Sequence, residues 1–591
     1  MKRPTWPRVR LGRRELIAGA AFLAVAAGVA GWVSVSTLVV RAHLESARVA
    51  ISSLQKDLAD GERPDAATTL RLAQQQAAAA AQDTADPAWT ITANLPLAGR
   101  PIRVIRQLAR SADELAHFIL PDLMAAAPAD KPTGLRAAAD QNVVDLAAIV
   151  RARQPLADAQ RRLAAVIAQL DALPADSGLS EIDSVRADLA DRLARLENTV
   201  DAASSAARLL PPMLGDDGAR RYFLAFQTGA EARGTGGLVG AYGVVVADHG
   251  HVSFAQLAPD DAIQAAAQPV ADFGPAFTAL YGPDESAQLL ANSNLSPNFP
   301  YAAQIWTGLW RRQTGQRLDG AIATDPNGLA DLLSVIGPVE IPDGESVTAQ
   351  NVVPLTEQTA YGRYPDPVAR KRFLIQIATS VVGALSNRPH DLPGLLRALS
   401  AAVGGGHLKM WSADPAEEAG LSTTAVGGAL PQRPGPFSEL VVNNASGTKL
   451  DYYLKRSLTY SLGTCRQGSR TGTVRVRLTN GAPATGLPDY GVDRLDDPRH
   501  SHVRGSNRLW VSVFAADGAQ LTGASLDGAR QLMSVNTELG HPVFSAGIDL
   551  NPGQTRTLLL SLTEPASSAP PLVPQQPLTF PQTTRIEVAP C

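Results

Sequence analysis

The segment of this sequence that is richest in chemically active residue types is a glycine-rich stretch from 226 to 243, FQTGAEARGTGGLVGAYG. It places a charged pair, Glu231 and Arg233, between two apolar runs of strand type. Glycine lets backbone N–H groups converge on an anion, and arginine adds a planar fork that matches phosphate or carboxylate. The segment therefore predicts an anion site, with Arg233 as a catalytic residue and Glu231 as a ligand-binding residue. The alternative is a structural turn in which the pair caps the strand ends.

A second group of basic residues lies around the start of a predicted helix after Pro367. It comprises Arg363, Arg370, Lys371 and Arg372. A helix N-terminus with nearby arginines suits a pyrophosphate, so the three arginines are predicted ligand-binding residues. The alternative is a solvated helix face.

Two aspartates, Asp319 and Asp325, flank a short predicted strand at 320–323. Carboxylates of this kind can hold Mg²⁺, and we take both as candidate catalytic residues. Asp325 also precedes Pro326 and an apolar stripe that ends at Gly337. A helix N-cap explains Asp325 better than a metal ligand does.

Histidines in two places raise the question of a metal site. His249 and His251 are two residues apart, and His500 and His502 follow a run of aspartates. These aspartates are Asp489, Asp493, Asp496 and Asp497. Either place could hold a metal, but solvated polar turns explain both patterns equally simply. The sequence contains no HExxH, Walker A or GxSxG motif.

Composition excludes some functions and indicates a location. The chain has 591 residues, a net charge of −3 and 5% aromatic residues, which disfavours a nucleic-acid partner. Residues 16–40 carry no charge, and six basic residues stand among the first fourteen. This pattern predicts one transmembrane helix, with a cytoplasmic tail at 1–15 and everything from 41 onward outside the cell membrane. A cleaved export signal is the alternative.

The elements that must position these residues predict a multidomain α+β chain. Behind the membrane helix, apolar stripes at helical spacing predict a helical bundle or stalk at 41–212. Alternating strands and helices predict an α/β domain at 213–430, and short strands predict an all-β sandwich at 431–591. The strands are expected at 438–443, 450–462, 471–479, 508–514, 530–536, 541–549, 555–563 and 577–588. The chain has two cysteines, Cys465 and Cys591, which an exported location allows to pair as a disulfide.

Four stretches together resemble the exported bacterial proteins of domain-of-unknown-function family 4012, over roughly 210–590. They are residues 226–243, ANSNLSPNFP (291–300), LDGAIATDPNGLADLLSVIGPVEIPDG (318–344) and HPVFSAGIDLNPGQTRTLLLSL (541–562). The resemblance implies an N-terminal membrane helix but no established activity. Thr228-Gly229 stand where the family usually has Asn-Asn, and Asn298 where it usually has Asp.

The order of the motifs is also similar to that of the LytR-CpsA-Psr phosphotransferases, in which Arg233, Arg370 and Arg372 would match arginines that bind a polyprenyl pyrophosphate. That similarity implies an envelope protein that binds or transfers a lipid-linked pyrophosphate glycan, with Mg²⁺ on Asp319 or Asp325. A non-catalytic envelope scaffold is the alternative, and the sequence leaves open whether the protein is an enzyme. A metal-dependent hydrolase built on the 489–502 loop is a third idea.

Overall fold

The computed structural model describes residues 63–95, 99–126, 143–174, 176–387, 392–497 and 499–591, together with residues 42, 43, 45, 46 and 49. The described residues fall into two compact units. The first unit takes its residues from 1–135 and 145–211, and the second takes its residues from 136–144 and 212–591.

The first unit is helical. Its helices are α1 (Arg63–Ala85), α2 (Pro87–Ala93), α3 (Gly99–Glu114), α4 (Leu120–Ala126), α5 (Leu146–Asp171) and α6 (Ser180–Met213), with a π-helical turn at Leu115–Ile119 between α3 and α4. Leu156, Leu163, Val166 and Leu170 of α5 are buried at helical spacing. Leu163, Val166 and Leu170 pack with residues of α3 and α6 in one apolar core, which is what holds helices of this composition together in water.

The predicted fold class requires one correction. In the part of the chain that the structure describes, no helix is both long and apolar enough to cross a membrane. The structure therefore gives no support for a transmembrane helix as part of this mixed helix-and-sheet fold. The predicted tail at 1–15 and the predicted span at 16–40 lie outside the described residues.

A five-stranded sheet organises the first half of the second unit. Its strands are β1 (Arg220–Arg233), β2 (Gly236–Asp248), β3 (His251–Pro259), β4 (Gly320–Thr324) and β7 (Leu408–Ser412), in the order β3-β2-β1-β4-β7. Strand β4 runs parallel to β1, and the other neighbours are antiparallel. Beneath the sheet, Phe223 stacks on Tyr242, with ring centroids 5.4 Å apart, and meets Trp306 at 5.8 Å. All three side chains are fully buried.

Helices surround this sheet. They are α7 (Gly274–Tyr281), α8 (Phe299–Thr314), α9 (Pro326–Ile336), α10 (Val352–Pro354), α11 (Ala360–Arg363), α12 (Pro367–Asn387), α13 (Leu392–Gly404) and α14 (Pro415–Leu421). A π-helical turn, Leu355–Thr359, joins α10 to α11, and the strands β5 (Val339–Glu340) and β6 (Ser346–Val347) form a small hairpin. Helix α9 begins as its sequence predicts, because Asp325 accepts a hydrogen bond from the backbone N–H of Gly328 at 3.0 Å.

The second half of this unit is a β-sandwich. Its strands are β8 (Ser438–Asn444), β9 (Leu454–Leu462), β10 (Ser469–Asn480), β11 (Asn507–Ala515), β12 (Gln520–Leu526), β13 (Ala529–Arg530), β14 (Ser534–Glu538), β15 (His541–Leu550), β16 (Thr555–Pro565) and β17 (Thr583–Val588). One sheet has the order β13-β12-β16-β10-β9-β17 and the other has the order β14-β15-β11-β8. The short helix α15 (Asp489–Val492) lies in the loop between β10 and β11. Cys465 and Cys591 form a disulfide, with their Cα atoms 4.6 Å apart.

Three predicted strands of the sandwich differ from the structure. The run at 450–462 forms a strand only from Leu454, because Leu450–Tyr453 is a 3-10 helical turn. The run at 577–588 forms a strand only from Thr583, because Pro577 and Pro581 lack the backbone N–H that a ladder needs. The run at 530–536 is divided between β13 and β14. The segment 574–581, which we name the cover segment, crosses from the sandwich to the five-stranded sheet. There the side-chain amide of Gln576 donates to the carbonyl of Arg233 at 2.7 Å.

Candidate functional site

The predicted anion site at Glu231 and Arg233 is an internal ion cluster. Arg233 Nη2 donates to Glu231 Oε1 at 2.9 Å, and Lys449 Nζ pairs with the other carboxylate oxygen. Glu231 and Arg233 are 6% and 5% exposed. Burial opposes the ionisation of Glu231, but Lys449 and Arg233 outweigh it and hold the pKa of Glu231 below its usual value. We call Glu231, Arg233 and Lys449 the ion cluster. Its charged groups pair with one another.

The other predicted arginines do not meet in one cavity. Arg363 pairs with Glu345, and Arg372 is exposed. Arg370 is buried, where its Nη1 donates to the carbonyl of Tyr364 at 2.9 Å and its guanidinium lies 3.8 Å from the ring centroid of Tyr490.

Both predicted aspartates have structural partners. Asp319 Oδ2 accepts from the backbone N–H of Arg221 at 2.7 Å, which ties the start of β4 to β1. Asp325 caps α9 with one oxygen, and its Oδ2 lies 2.6 Å from Nδ1 of His407. The cap and the histidine contact use different oxygens, so Asp325 fulfils both roles at once.

The Asp325–His407 pair stands at the wall of a cavity of about 750 Å³. Strands β1 and β4 are parallel. Gly234, which follows the carboxyl end of β1, lies in the cavity wall. Asp325, which follows the carboxyl end of β4, lies directly behind the wall, where it contacts His407. Ligands of open α/β sheets bind outside the carboxyl ends of such strands. The remaining wall is supplied by α9, the glycine-rich turn after α13, the loop before β8 and the cover segment.

Two buried groups of opposite type line this cavity. Burial lowers the pKa of Lys409 to about 8, although Asp325 and Glu439 act in the opposite direction. Burial raises the pKa of Glu439 to about 7; Lys409 opposes this change and Glu538 adds to it. Desolvation favours the neutral form of each group, so both are near the point of proton exchange at neutral pH.

Further polar groups complete the wall. Burial raises the pKa of Asp331, with His407 acting against it. Thr579 of the cover segment is 9% exposed, and its Oγ1 is buried without a hydrogen-bond partner in the described structure. Asn327 and Gln575 add side-chain amides. Convergent polar groups with perturbed pKa values in one cavity are the usual features of a binding or catalytic site.

Sequence analysis missed His407, Lys409 and Glu439. They belong to three separate segments: the turn after α13, strand β7 and strand β8. The local signal that could have indicated His407 is the run Gly404-Gly405-Gly406-His407, because it places a histidine at the end of a glycine-rich turn. Nothing in the sequence around Glu439 distinguishes it from an ordinary strand residue.

The histidine loops are polar turns with local partners. His500 Nδ1 lies 2.6 Å from Asp497, and Asp489 pairs with Arg504. His249 lies 2.6 Å from Asp248. Among the residues that the structure describes, no group of three or more histidine, cysteine, aspartate or glutamate side chains could hold a metal ion.

Comparisons with known proteins define one segment of the chain. No curated protein and no solved structure matches the chain. Residues 217–361 match the model of a family described as "Protein of unknown function (DUF4012)". This confirms the first predicted resemblance over a shorter stretch than 210–590, and the stretch ends before His407, Lys409 and Glu439. The segment from the start of β1 into α11 is thus similar to this family of unknown function.

Proposed function

We propose that the cavity binds a glycan and that His407 activates one of its hydroxyl groups for group transfer. The observation that carries this proposal is the 2.6 Å contact between Asp325 and His407 Nδ1 at the cavity wall. A carboxylate at Nδ1 fixes the ring orientation and the tautomer, and it stabilises the imidazolium that forms when Nε2 takes a proton. Nε2 has no hydrogen-bond partner among the described residues, which leaves it available to a ligand.

The composition of the wall supports a polyhydroxyl ligand. Carboxyl groups of Asp331 and Glu439, and side-chain amides of Asn327 and Gln575, offer both donors and acceptors. A pyrophosphate would lie beside two carboxyl groups and receive no contact from the four predicted arginines, none of which lines the cavity. We therefore assign to this cavity the glycan that accepts the transferred group, and not the lipid-linked pyrophosphate of the donor.

The disulfide supports an extracytoplasmic location for this activity. Disulfides persist mainly in oxidising compartments outside the cytoplasm. Cys465 and Cys591 are the two cysteines of the chain, and they are joined to each other. We accordingly propose that the protein acts on a cell-envelope glycan.

Transfer between defined substrates tests this proposal. The full chain is incubated with a polyprenyl-pyrophosphate disaccharide as the donor and chitotetraose as the acceptor, and the products are measured by mass spectrometry. His407→Gln should lower the rate by about 10²–10⁴-fold, the usual contribution of a general base. Arg372→Ala, at an exposed position outside the cavity, is the matched control and should retain the rate. Absence of transfer, together with absence of chitotetraose binding in saturation-transfer NMR, contradicts the proposal.

A scaffold function is the second candidate, and one observation favours it. Strand β17 lies at the edge of its sheet, where it pairs with β9 alone, and it exposes Ile586 and Val588 by 43% and 53%. Such an edge can accept a strand from a partner. A photo-crosslinking residue at 586 should capture a discrete partner in cells, and the Val588→Lys variant should lose it. Capture of such a partner, together with absence of transfer in vitro, would favour the scaffold function.

A further inference from the structure

Lys409 is an amine held rigidly at the wall of the cavity. It pairs with Ala323 in the sheet, and its Nζ donates to the carbonyl of Thr235 at 2.6 Å. Its stem passes so close to Gly428 that a Cβ atom there would lie 2.8 Å from Lys409 Cδ. The same Cβ atom would be 3.0 Å from Phe299. The stem is therefore confined, and the amine has a defined position.

Glu439 reaches the same cavity from the β-sandwich. It is 5% exposed, and its carboxyl group has no hydrogen-bond donor among the described residues. It also lies beyond 4.0 Å from Lys409, the limit for an ion pair. A buried carboxyl group without a partner is costly unless something else meets it. Since both side chains line the cavity, a ligand there can contact the amine and the carboxyl group together.

We propose that Lys409 is a carbonyl-reactive residue that forms an imine with an aldehyde or ketone ligand in this cavity, with Glu439 as the proton carrier. The amine nitrogen attacks the carbonyl carbon, a C–N bond forms, and the π electrons move to oxygen, which takes a proton from Glu439. The nitrogen then returns a proton to Glu439. Protonation of the hydroxyl by Glu439 releases water and leaves a protonated imine.

The inference depends on the proposed function only in placing the ligand in the same cavity. The open-chain aldehyde of a reducing sugar combines the required carbonyl group with the hydroxyl groups that the wall suits. Imine formation consumes one proton and releases one water, and it needs no oxidant or reductant.

Two other lysines, Lys449 and Lys371, show why Lys409 differs. Lys449 Nζ is paired with Glu231, and Lys371 Nζ contacts Asp260 at 2.6 Å and Asp261 at 2.9 Å. Lys409 has a backbone carbonyl as its acceptor and no carboxylate within 4.0 Å. Burial without a paired charge favours the neutral, nucleophilic amine, consistent with a pKa of about 8.

Reductive trapping tests the inference. The full chain is treated at pH 8 with D-glyceraldehyde and cyanoborohydride, which converts an imine into a stable secondary amine, and the labelled peptides are identified by mass spectrometry. The chain has seven lysines, so every site can be assigned. Lys409 should be labelled about tenfold faster than Lys455, and Glu439→Gln should slow labelling of Lys409 about tenfold while leaving Lys455 unchanged.

Lys409→Met keeps an unbranched apolar stem and removes the amine, so it serves as the control that loses this label, and urea unfolding checks that it is folded. Labelling of Lys409 no faster than that of Lys455 overturns the inference. Labelling of Lys409 that is unaffected by Glu439→Gln overturns the role of Glu439. His407→Gln separates the two proposals, because it should abolish glycan transfer and leave the labelling of Lys409 intact.

Discussion

Glu231 in the ion cluster and Glu439 in the cavity are buried to almost the same extent, 6% and 5% exposed, yet they behave in opposite ways. Two cations contact Glu231 and keep its pKa below the usual value. Among the residues that the structure describes, no cation lies within 4.0 Å of Glu439, and burial raises its pKa to about 7. Pairing, rather than burial, thus separates a structural carboxylate from one that is free to act on a ligand.

The largest effect is expected from breaking the ion cluster. Glu231→Ala leaves Arg233 and Lys449 buried without their carboxylate. Removing one partner of a buried ion pair costs about 3–5 kcal/mol, so the free energy of unfolding should fall by that amount. Urea unfolding measures it, with the exposed Glu340→Ala as the control, for which a change within about 0.5 kcal/mol is expected. A loss below about 1 kcal/mol for Glu231→Ala would show that the cluster is not the structural element we describe.

A pH dependence of stability should come from two buried carboxyl groups that have no cation partner among the described residues, Glu439 and Glu538; Glu538 accepts hydrogen bonds from the hydroxyl groups of Tyr281 and Ser296. Burial raises the pKa values of Glu439 and Glu538 to about 7. Their folded-state pKa values exceed the unfolded value of about 4.5, so their contribution is complete below pH 4.5 and is lost as the pH rises through 7. Ionisation of each group should lower the free energy of unfolding by on the order of 2 kcal/mol. Unfolding measured from pH 5 to pH 8 should show this decline, and a flat profile would contradict the burial of these two carboxyl groups without a cation.

A matched pair of glutamine variants sharpens the comparison. Glu439→Gln removes the ionisable group, so at pH 8 it should raise the free energy of unfolding by roughly 1–2 kcal/mol, with little change at pH 5. Glu231→Gln removes a paired charge and should lower the free energy of unfolding at pH 8. Changes of the same sign in the two variants would remove the distinction between the ion cluster and the cavity.

The smallest effect is expected at Arg372. The side chain is exposed on α12, and replacing it with alanine should change the free energy of unfolding by less than about 0.5 kcal/mol. The same urea experiment measures it. A loss above about 1.5 kcal/mol would indicate a contact that the structure does not show.

Local elements of this fold were largely predictable from the sequence. The Asp-Pro start, apolar stripe and glycine end of α9 are confirmed, because each signal acts within one or two helical turns. Strand β4 also lies where its pattern places it. Residues 577–581 of the cover segment were wrongly predicted as the start of a strand, which the prolines at 577 and 581 prevent.

The candidate site was less predictable. Glu231 and Arg233 were recognised as unusual from the sequence. The second cation that contacts Glu231, Lys449, was not predicted, because it comes from a distant segment of the chain. The sequence identified Asp325 as a helix cap. It did not predict the contact of Asp325 with His407, because the two residues are 82 positions apart. Side chains from distant segments meet only through packing, for which a single sequence carries no local signal.

The sequence by itself determined the elements: the helical stripes, the caps and turns, the alternating strands and the two cysteines available for a bridge. Their physical basis is short-range, because backbone geometry and apolar spacing act over a few residues. Only the tertiary structure decided which charges are paired and which remain available. That outcome depends on how the sheet and the sandwich pack together, since their packing surrounds Glu231 with cations and leaves Glu439 and Lys409 at the wall of a cavity.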